Sequence, residues 1–247
     1  MAAQINTNLY SLNAQRNLSK NSSGLQTAIE RLSSGLRVNS AKDDAAGLAV
    51  AMKMDSFARS ISASIRISND KISLAQVGDG ALSTVNDMLQ RMSELASASA
   101  NTTLGTTEIG YLSDEYASLA TSIDTVVGNA KMNGTDPFAS NSITLSAAVA
   151  SALGTDAAAG GSLVSAALDE VAAARSTLGA VMNNEQYQIQ AYESNYENQM
   201  AAKSRIMDAD FAAETSSLAR YQILQQAGTA MVAQANQIPQ NVLSLLK

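Results

Sequence analysis

The stretch RLSSGLRVNSAKDDAAG, residues 31–47, concentrates Arg31, Arg37, Lys42, Asp43 and Asp44. Adjacent carboxylates beside cations are the raw material of acid–base catalysis, one carboxyl holding a proton while its neighbour stays ionised. With a third ligand they could also hold a metal. This stretch has no third ligand, and the whole chain contains neither His nor Cys. Thiolate chemistry, His-based triads, His/Cys zinc sites and the HExxH motif are therefore absent. No catalytic, cofactor-binding or metal-binding residue is assigned. The stretch reads instead as a connector between two helices, with Ser40 or Asp43 as the N-cap of the second.

The elements that would flank this connector are helical. The chain of 247 residues is 46% hydrophobic but only 4% aromatic, so its apolar content is mostly aliphatic and suits helices. Its two prolines, Pro137 and Pro239, leave long stretches free for helix. A net charge of −6, with no basic cluster interleaved with aromatics, argues against nucleic acid as a partner. The opening MAAQINTNLY lacks the basic and apolar regions of a cleavable secretory signal. No apolar run reaches about 18 residues, and LSAAVASAL at 145–153 is too short to span, so no membrane partner is expected.

Apolar spacing outlines the layout. Leu18, Leu25, Ile29, Leu32 and Leu36 step by 7, 4, 3 and 4. Ile61, Ile65, Ser68, Ile72 and Ala75, followed after a phase change by Leu82, Val85, Leu89, Met92 and Ala96, predict one long helix over about 44–99. Gly78 and Gly80 interrupt it without a reason visible in the sequence. A second helix is predicted over 108–128, and a third ending near 204, carried by Val164, Leu168, Val171, Leu178, Met182, Ile189, Tyr192 and Tyr196. Arg175 and Glu185 occupy two apolar positions of that last pattern. Between these helices, Asn133-Gly134 and Asp136-Pro137 carry turn chemistry, and ITLSAAV could form a short strand.

The C-terminal segment has the cleanest repeat: Leu224, Gly228, Met231, Ala235, Ile238, Val242 and Leu245 alternate steps of 4 and 3. Ile223, Ala227, Ala230, Leu243 and Leu246 form a second stripe beside it, and Tyr221 is the one ionisable side chain between 221 and 246. Pro239 predicts a kink or local break. A helix apolar on more than one side needs more than one partner. The two terminal helices are expected to pair with each other and to order fully only against other chains. Pairing also explains a near-symmetric plan, with heptad-bearing helices at both ends of the chain.

The segments INTNLYSLNAQRNL, AIERLSSGLRVNSAKDDAAGLAVA, NDKISLAQVGDGAL and LQRMSELASASAN, with ARSTLGAV, SRIMDADFAAE and QILQQAGTAMVAQANQIPQNVLSLLK, resemble bacterial flagellin. The likeness covers most of the chain outside 135–162. It implies a mainly α fold of long antiparallel helices and coiled-coil terminal helices, with a small β or loop insert. Residues 1–42 and 206–247 would form an inner coiled-coil tube, 43–134 and 163–205 an outer helical rod, and 135–162 a very short variable insert. It further implies a polymerisation core of Leu18, Leu25, Ile29, Leu32, Leu36, Leu224, Met231, Ile238, Val242 and Leu245. The connector residues Arg31, Arg37, Lys42, Asp43 and Asp44 would lie at the joint of tube and rod, touching neighbouring subunits.

The implied partners are other copies of the chain in a helical filament, a flagellar export chaperone, and filament cap and hook-junction proteins. The implied place is the extracellular flagellum, reached by type III export without a cleavable signal. Gln90, Arg91, Leu95 and Glu115 match positions recognised by the Toll-like receptor for flagellin. Four residues depart from the family's pattern: Asn184 stands where arginine is usual, Met132 where Phe is common, Lys71 where Gly is common, and Ser93 where a basic residue is common. The loss of a charge at Asn184 removes a possible pairing between helices, whereas Met132 and Lys71 are expected to alter local packing only. A hook–filament junction protein and a soluble receptor ligand or adhesin are the competing readings, and an enzyme is the weakest.

Overall fold

A computed structural model describes residues 7–101, 103–141, 143 and 161–244. Its elements are α1 (Leu9–Ser34), α2 (Ala45–Ser99), α3 (Thr106–Asn129), α4 (Pro137–Ser140), α5 (Gly161–Met207) and α6 (Phe211–Ser244). The three long predicted helices are present, each within a few residues of the expected bounds. The possible strand at ITLSAAV lies, beyond Ile143, outside the described residues. The chain divides into two compact units, one of residues 1–59 and 196–247, the other of residues 60–195.

The 60–195 unit is a helical bundle. Every position of the α2 stripe from Ile61 to Ala96 is buried or half-buried. Leu82, Val85, Leu89 and Met92 of α2 pack with Tyr116, Ala120 and Ile123 of α3 and with Val164, Val171 and Leu178 of α5 in one core. The helices run antiparallel: Arg91 of α2 reaches Glu115 of α3, while Asp79 and Lys71 of α2 meet Arg175 and Glu185 of α5 in reversed order. These two ion pairs explain the charged residues that interrupt the α5 pattern.

Turn chemistry at Asn133-Gly134 appears as expected. Asn133 at φ 53° and Gly134 at φ 79° close a tight turn between Met132 and Thr135, which bond to each other in both directions. At Asp136-Pro137 the structure differs from a plain turn. The Asp136 carboxylate accepts from the Phe138 and Ala139 amides, and Pro137 takes the first helical position of α4, where its missing N–H costs nothing. Pro137 then explains Gly78. A Cβ there would lie 3.1 Å from both Pro137 Cβ and Leu178 Cδ1. Gly80 has no such neighbour within 4 Å.

The other unit contains the α1·α6 pair and the segments that join it to α2 and α5. Asn8 caps α1 by accepting from the Ser11 amide at 3.1 Å. Gly35 ends α1 in the left-handed region, φ 71°, and donates its N–H to the Arg31 carbonyl. Helix α6 starts at Asp210, which accepts from the Ala212 and Ala213 amides, and it carries Glu214 in its first turn, where the helix dipole favours an acid. No break occurs at Pro239, which lies within the helical span of α6.

Candidate assembly interface

The fully buried residues of the α1·α6 contact are small or polar: Ser11, Ala28 and Ala235, with Leu18, Leu25 and Leu32 half-buried beside them. On α6 Glu214, Leu218, Tyr221, Gln225, Gly228 and Val232 are half-buried in steps of 4 and 3, a heptad pattern displaced from the expected one, with Ser217 half-buried beside it. Both descriptions share Gly228 and Ala235. The predicted seam residues Leu224 and Met231 face outward, 39% and 62% exposed, as does Ile29 at 51%. Helix α6 is apolar over more than one side, and the side carrying Leu218, Tyr221, Gln225 and Val232 is the more buried one. Ile238 and Val242 lie on the helical backbone with their side chains outside the described set, and Leu245 lies outside the described residues.

Polar contacts tie both ends of the pair. Asn8 Nδ2 donates to the Ala235 carbonyl at 2.8 Å, and Ser11 Oγ to Asn236 Oδ1 at 2.8 Å. At the opposite end Arg31 meets Glu214 at 3.2 Å. The two terminal helices are thus helical and joined within a single chain. What remains open is their outer surface. Leu9, Tyr10, Leu12, Phe211 and Ile223 are each more than half exposed. A groove of about 420 Å³ runs beside the pair, walled by Tyr10, Leu18, Leu224 and Met231.

The connector residues mostly serve their own chain. Arg37 donates through its backbone N–H to the Met207 carbonyl and through its guanidinium to the Ile206 carbonyl, both at 2.6 Å. Leu36 and Asp208 form an antiparallel bridge, and Leu36, Val38, Leu48, Ala51, Ile206 and Met207 pack beneath it. The N-cap of α2 is neither Ser40 nor Asp43 but Asp44, whose carboxylate accepts from the Gly47 amide at 2.8 Å. Asp43 instead closes the preceding turn. Hydrogen bonds from the Ser40 amide and hydroxyl, and then from the Asn39 amide, hold its carboxyl below the usual range. Lys42 is exposed. Asp55 forms ion pairs with Lys203 at 2.6 Å and with Arg59 at 2.9 Å. The Lys203 hydrogen bond is the main reason its carboxyl is lowered.

In the bundle, Arg91 bridges Glu115 at 3.0 Å and Glu94 at 2.9 Å, with its charge stabilised by both carboxylates. Gln90, Arg91 and Glu115 form an exposed group. Leu95 does not join them. It is 3% exposed and belongs to the core with Met92 and Tyr116, at the inner edge of the face that carries Arg91.

Lys71 does more than alter packing. Its ammonium lies 2.8 Å from Glu185, whose side chain is 93% buried by its 7% exposure. Burial pushes the Glu185 carboxyl up, but Lys71 and the nearby Ser68 hydroxyl outweigh it and the net shift is downward. Oε2 itself has no partner that meets hydrogen-bond geometry, so Ser68 acts through proximity. Asn184 is exposed, its side chain turned to Gln188 one helical turn on. Among the described residues no group of three acidic side chains converges on a metal position, and no helix is long and apolar enough to cross a membrane.

Long antiparallel helices, a chain folded back so that its two ends pair, and large apolar side chains left on the outside of that pair form a pattern with known counterparts. Residues 5–143 match the family described as the bacterial flagellin N-terminal helical region, and residues 162–246 the bacterial flagellin C-terminal helical region. The chain belongs to the bacterial flagellin family. Flagellin of Halalkalibacterium halodurans is 38% identical over 98% of this chain and 99% of that protein. Flagellin of Bacillus subtilis is 34% identical over 99% and 100%, respectively. The flagellar filament 33 kDa core protein of Treponema phagedenis is 34% identical over 98% and 99%. Flagellins are structural proteins, not enzymes, and their terminal regions make up nearly all of this chain. Only residues 144–161 fall between the two family matches.

Proposed function

We propose that the chain is the structural subunit of a bacterial flagellar filament and polymerises by burying the outward faces of α1 and α6 against the same helices of neighbouring copies. The observation that carries this reading is the orientation of the pair. Ser11, Ala28 and Ala235 are buried between the helices, while Leu9, Leu12, Ile29, Ile223, Leu224 and Met231 are exposed. Side chains of this size gain roughly 2 kcal/mol each on full burial. Subunits joined through such non-self-complementary faces propagate without closing, which gives a helical polymer. In this reading residues 1–42 and 206–247 supply the inner tube, 43–134 and 163–205 the rod, and 135–162 the short outer insert. Lys42, exposed while its neighbours are engaged within the chain, is the connector residue best placed to reach another subunit.

The family implies further partners: an export chaperone for the C-terminal helix, cap and hook-junction proteins at the filament ends, and a host Toll-like receptor. Export would proceed without a cleaved signal to an extracellular filament. The exposed Gln90, Arg91 and Glu115 group supports receptor recognition of the monomer, with Leu95 holding α2 in place from within. A receptor-reporter assay that stays silent at saturating monomer rejects that part.

The assembly reading is tested by deleting residues 235–247 and measuring sedimentation and far-UV circular dichroism. The truncated chain is expected to be soluble, to keep a helical bundle, and to form no filaments. Normal polymerisation of the truncated chain would overturn the reading.

A further inference from the structure

The contacts between α1 and α6 specify a single alignment. From Ser11 with Asn236, through Leu18 with Gly228 and Gly24 with Tyr221, to Arg31 with Glu214, the contacts advance along one helix as they retreat along the other, and Asn8 bonds the Ala235 carbonyl at the same end as Ser11. A heptad repeat does not by itself guarantee this, because an antiparallel pair with a weak seam can slide by one repeat at little cost. The seam here is weak, with Ser11, Asn21, Gln225 and Gly228 at positions where Leu would ordinarily lock it. Something else must fix the alignment.

We propose that Gly24 and Tyr221 form a register key, and that this key determines which face of α6 is left outward for assembly. Gly24 leaves a notch in α1 filled by the Tyr221 ring. A Cβ at Gly24 would lie 2.6 Å from ring carbon Cζ and 2.7 Å from Cε1. Tyr221 is a stiff side chain at a helix surface and cannot yield without leaving the seam. A second notch repeats the device two turns on, where a Cβ at Gly228 would lie 3.1 Å from Leu18 Cδ1. In the keyed alignment Leu224 and Met231 are left 39% and 62% exposed on the groove beside the pair. Any slide or rotation that displaces the ring also displaces them. The glycine is thus a positioning residue for polymerisation. This deepens the assembly reading and rests on it only where filaments are measured.

The chain has no Cys, so an introduced pair reports alignment cleanly. Ser11→Cys with Asn236→Cys replaces two side chains that bond at 2.8 Å and should close a disulfide on mild oxidation. Ser11→Cys with Thr229→Cys, one heptad away, should not. In Gly24→Ala the first crosslink should fall about tenfold in yield, and the monomer concentration needed for filaments should rise by about the same factor. Alanine favours helix over glycine, so weaker helix formation cannot produce that loss. Tyr221→Ala alone should cost only a few-fold in each measurement. Tyr221→Ala added to Gly24→Ala should restore both measurements to the level of Tyr221→Ala alone. Unchanged crosslinking in Gly24→Ala, or a loss that persists in the double variant, would overturn the key. If the parent chain crosslinks as expected but forms no filaments, the assembly reading fails and the key stands.

Discussion

The bundle of residues 60–195 and the α1·α6 pair use the same material, aliphatic heptads, to opposite ends. In the bundle Leu82, Val85, Leu89, Met92, Tyr116, Ile123 and Leu178 are fully enclosed. In the pair, the buried residues are Ser11, Ala28 and Ala235, and the seam's Leu18, Leu25, Leu32 and Tyr221 are half-buried. In the bundle a third helix covers what two helices leave open, whereas the outer faces of the α1·α6 pair keep Leu9, Leu12, Ile29, Ile223 and Met231 exposed. A domain that satisfies its own apolar surface is stable alone. A pair that does not is a domain whose remaining core must come from other molecules.

The sharpest way to break this contrast is truncation of one large side chain in each region. Leu89→Ala removes a fully buried side chain and should cost about 2–5 kcal/mol of unfolding free energy. Met231→Ala removes one that is 62% exposed and should cost no more than about 0.5 kcal/mol in the same urea titration. Its effect should appear in filament assembly instead. Equal losses in the monomer would mean that the pair, too, is a completed core.

Polar groups sharpen the same comparison. Glu185 is buried in the bundle, whereas Asp55 of the other unit pairs with Lys203 and Arg59 at the surface. Lys71→Ala strands a buried carboxylate and should cost about 1–3 kcal/mol at neutral pH, toward the lower end because Lys71 is 54% exposed. The folded Glu185 carboxyl lies below its unfolded value, so its contribution is present above about pH 4.3. That contribution is lost as pH falls through the lower, folded value. Thermal midpoints followed from pH 7 down to pH 3 should therefore drop more steeply for the parent chain than for Glu185→Gln. Parallel curves would show that Glu185 adds no pH-dependent stability.

The two glycines of α2 provide a smaller and more local test. Gly80→Ala meets nothing within 4 Å and should stabilise the bundle by about 0.5–1 kcal/mol. Gly78→Ala presses on the Pro137 ring and on Leu178 in a filled core, so the same helix gain is offset or exceeded by overpacking of about 1 kcal/mol or more. Gly78→Ala should thus melt below Gly80→Ala, and the reverse order would mean that α4 is not fixed against α2.

Much of this was legible in the spacing of apolar residues. The α2 stripe from Ile61 to Ala96 is buried or half-buried at every position, since at each point along the helix only one face is apolar. Where α6 had two stripes, sequence could not decide between them. The answer depended on small residues, Gly24 and Gly228, meeting Tyr221 and Leu18 across the pair. Arg175 and Glu185 looked like faults in a pattern, because their partners Asp79 and Lys71 lie on a helix distant in sequence. The N-cap of α2 shifted from Asp43 to Asp44 because adjacent aspartates are equally good caps until the turn before the helix engages one of them. Leu95 shared a motif with Arg91, but a motif records neighbours along the chain and not the side of the helix on which each lies.

The smallest expected effect concerns the polar surface of the bundle. Arg91, Glu94 and Glu115 are each about half exposed or more, 51%, 68% and 45%. Such pairs gain little from Coulomb attraction in water, and they restrict long side chains. Arg91→Ala should therefore lower stability by no more than about 1 kcal/mol. The difference should shrink in about 0.5 M salt, where screening acts over only a few ångströms. Arg91 is a surface residue of a bundle already closed by Leu89, Met92 and Leu95 beneath it, and urea titrations of both chains at low and high salt test that description. A loss of several kcal/mol that salt does not change would mean that Arg91 holds α2 to α3 as part of the core, and the line drawn between the bundle's interior and its surface would have to move outward.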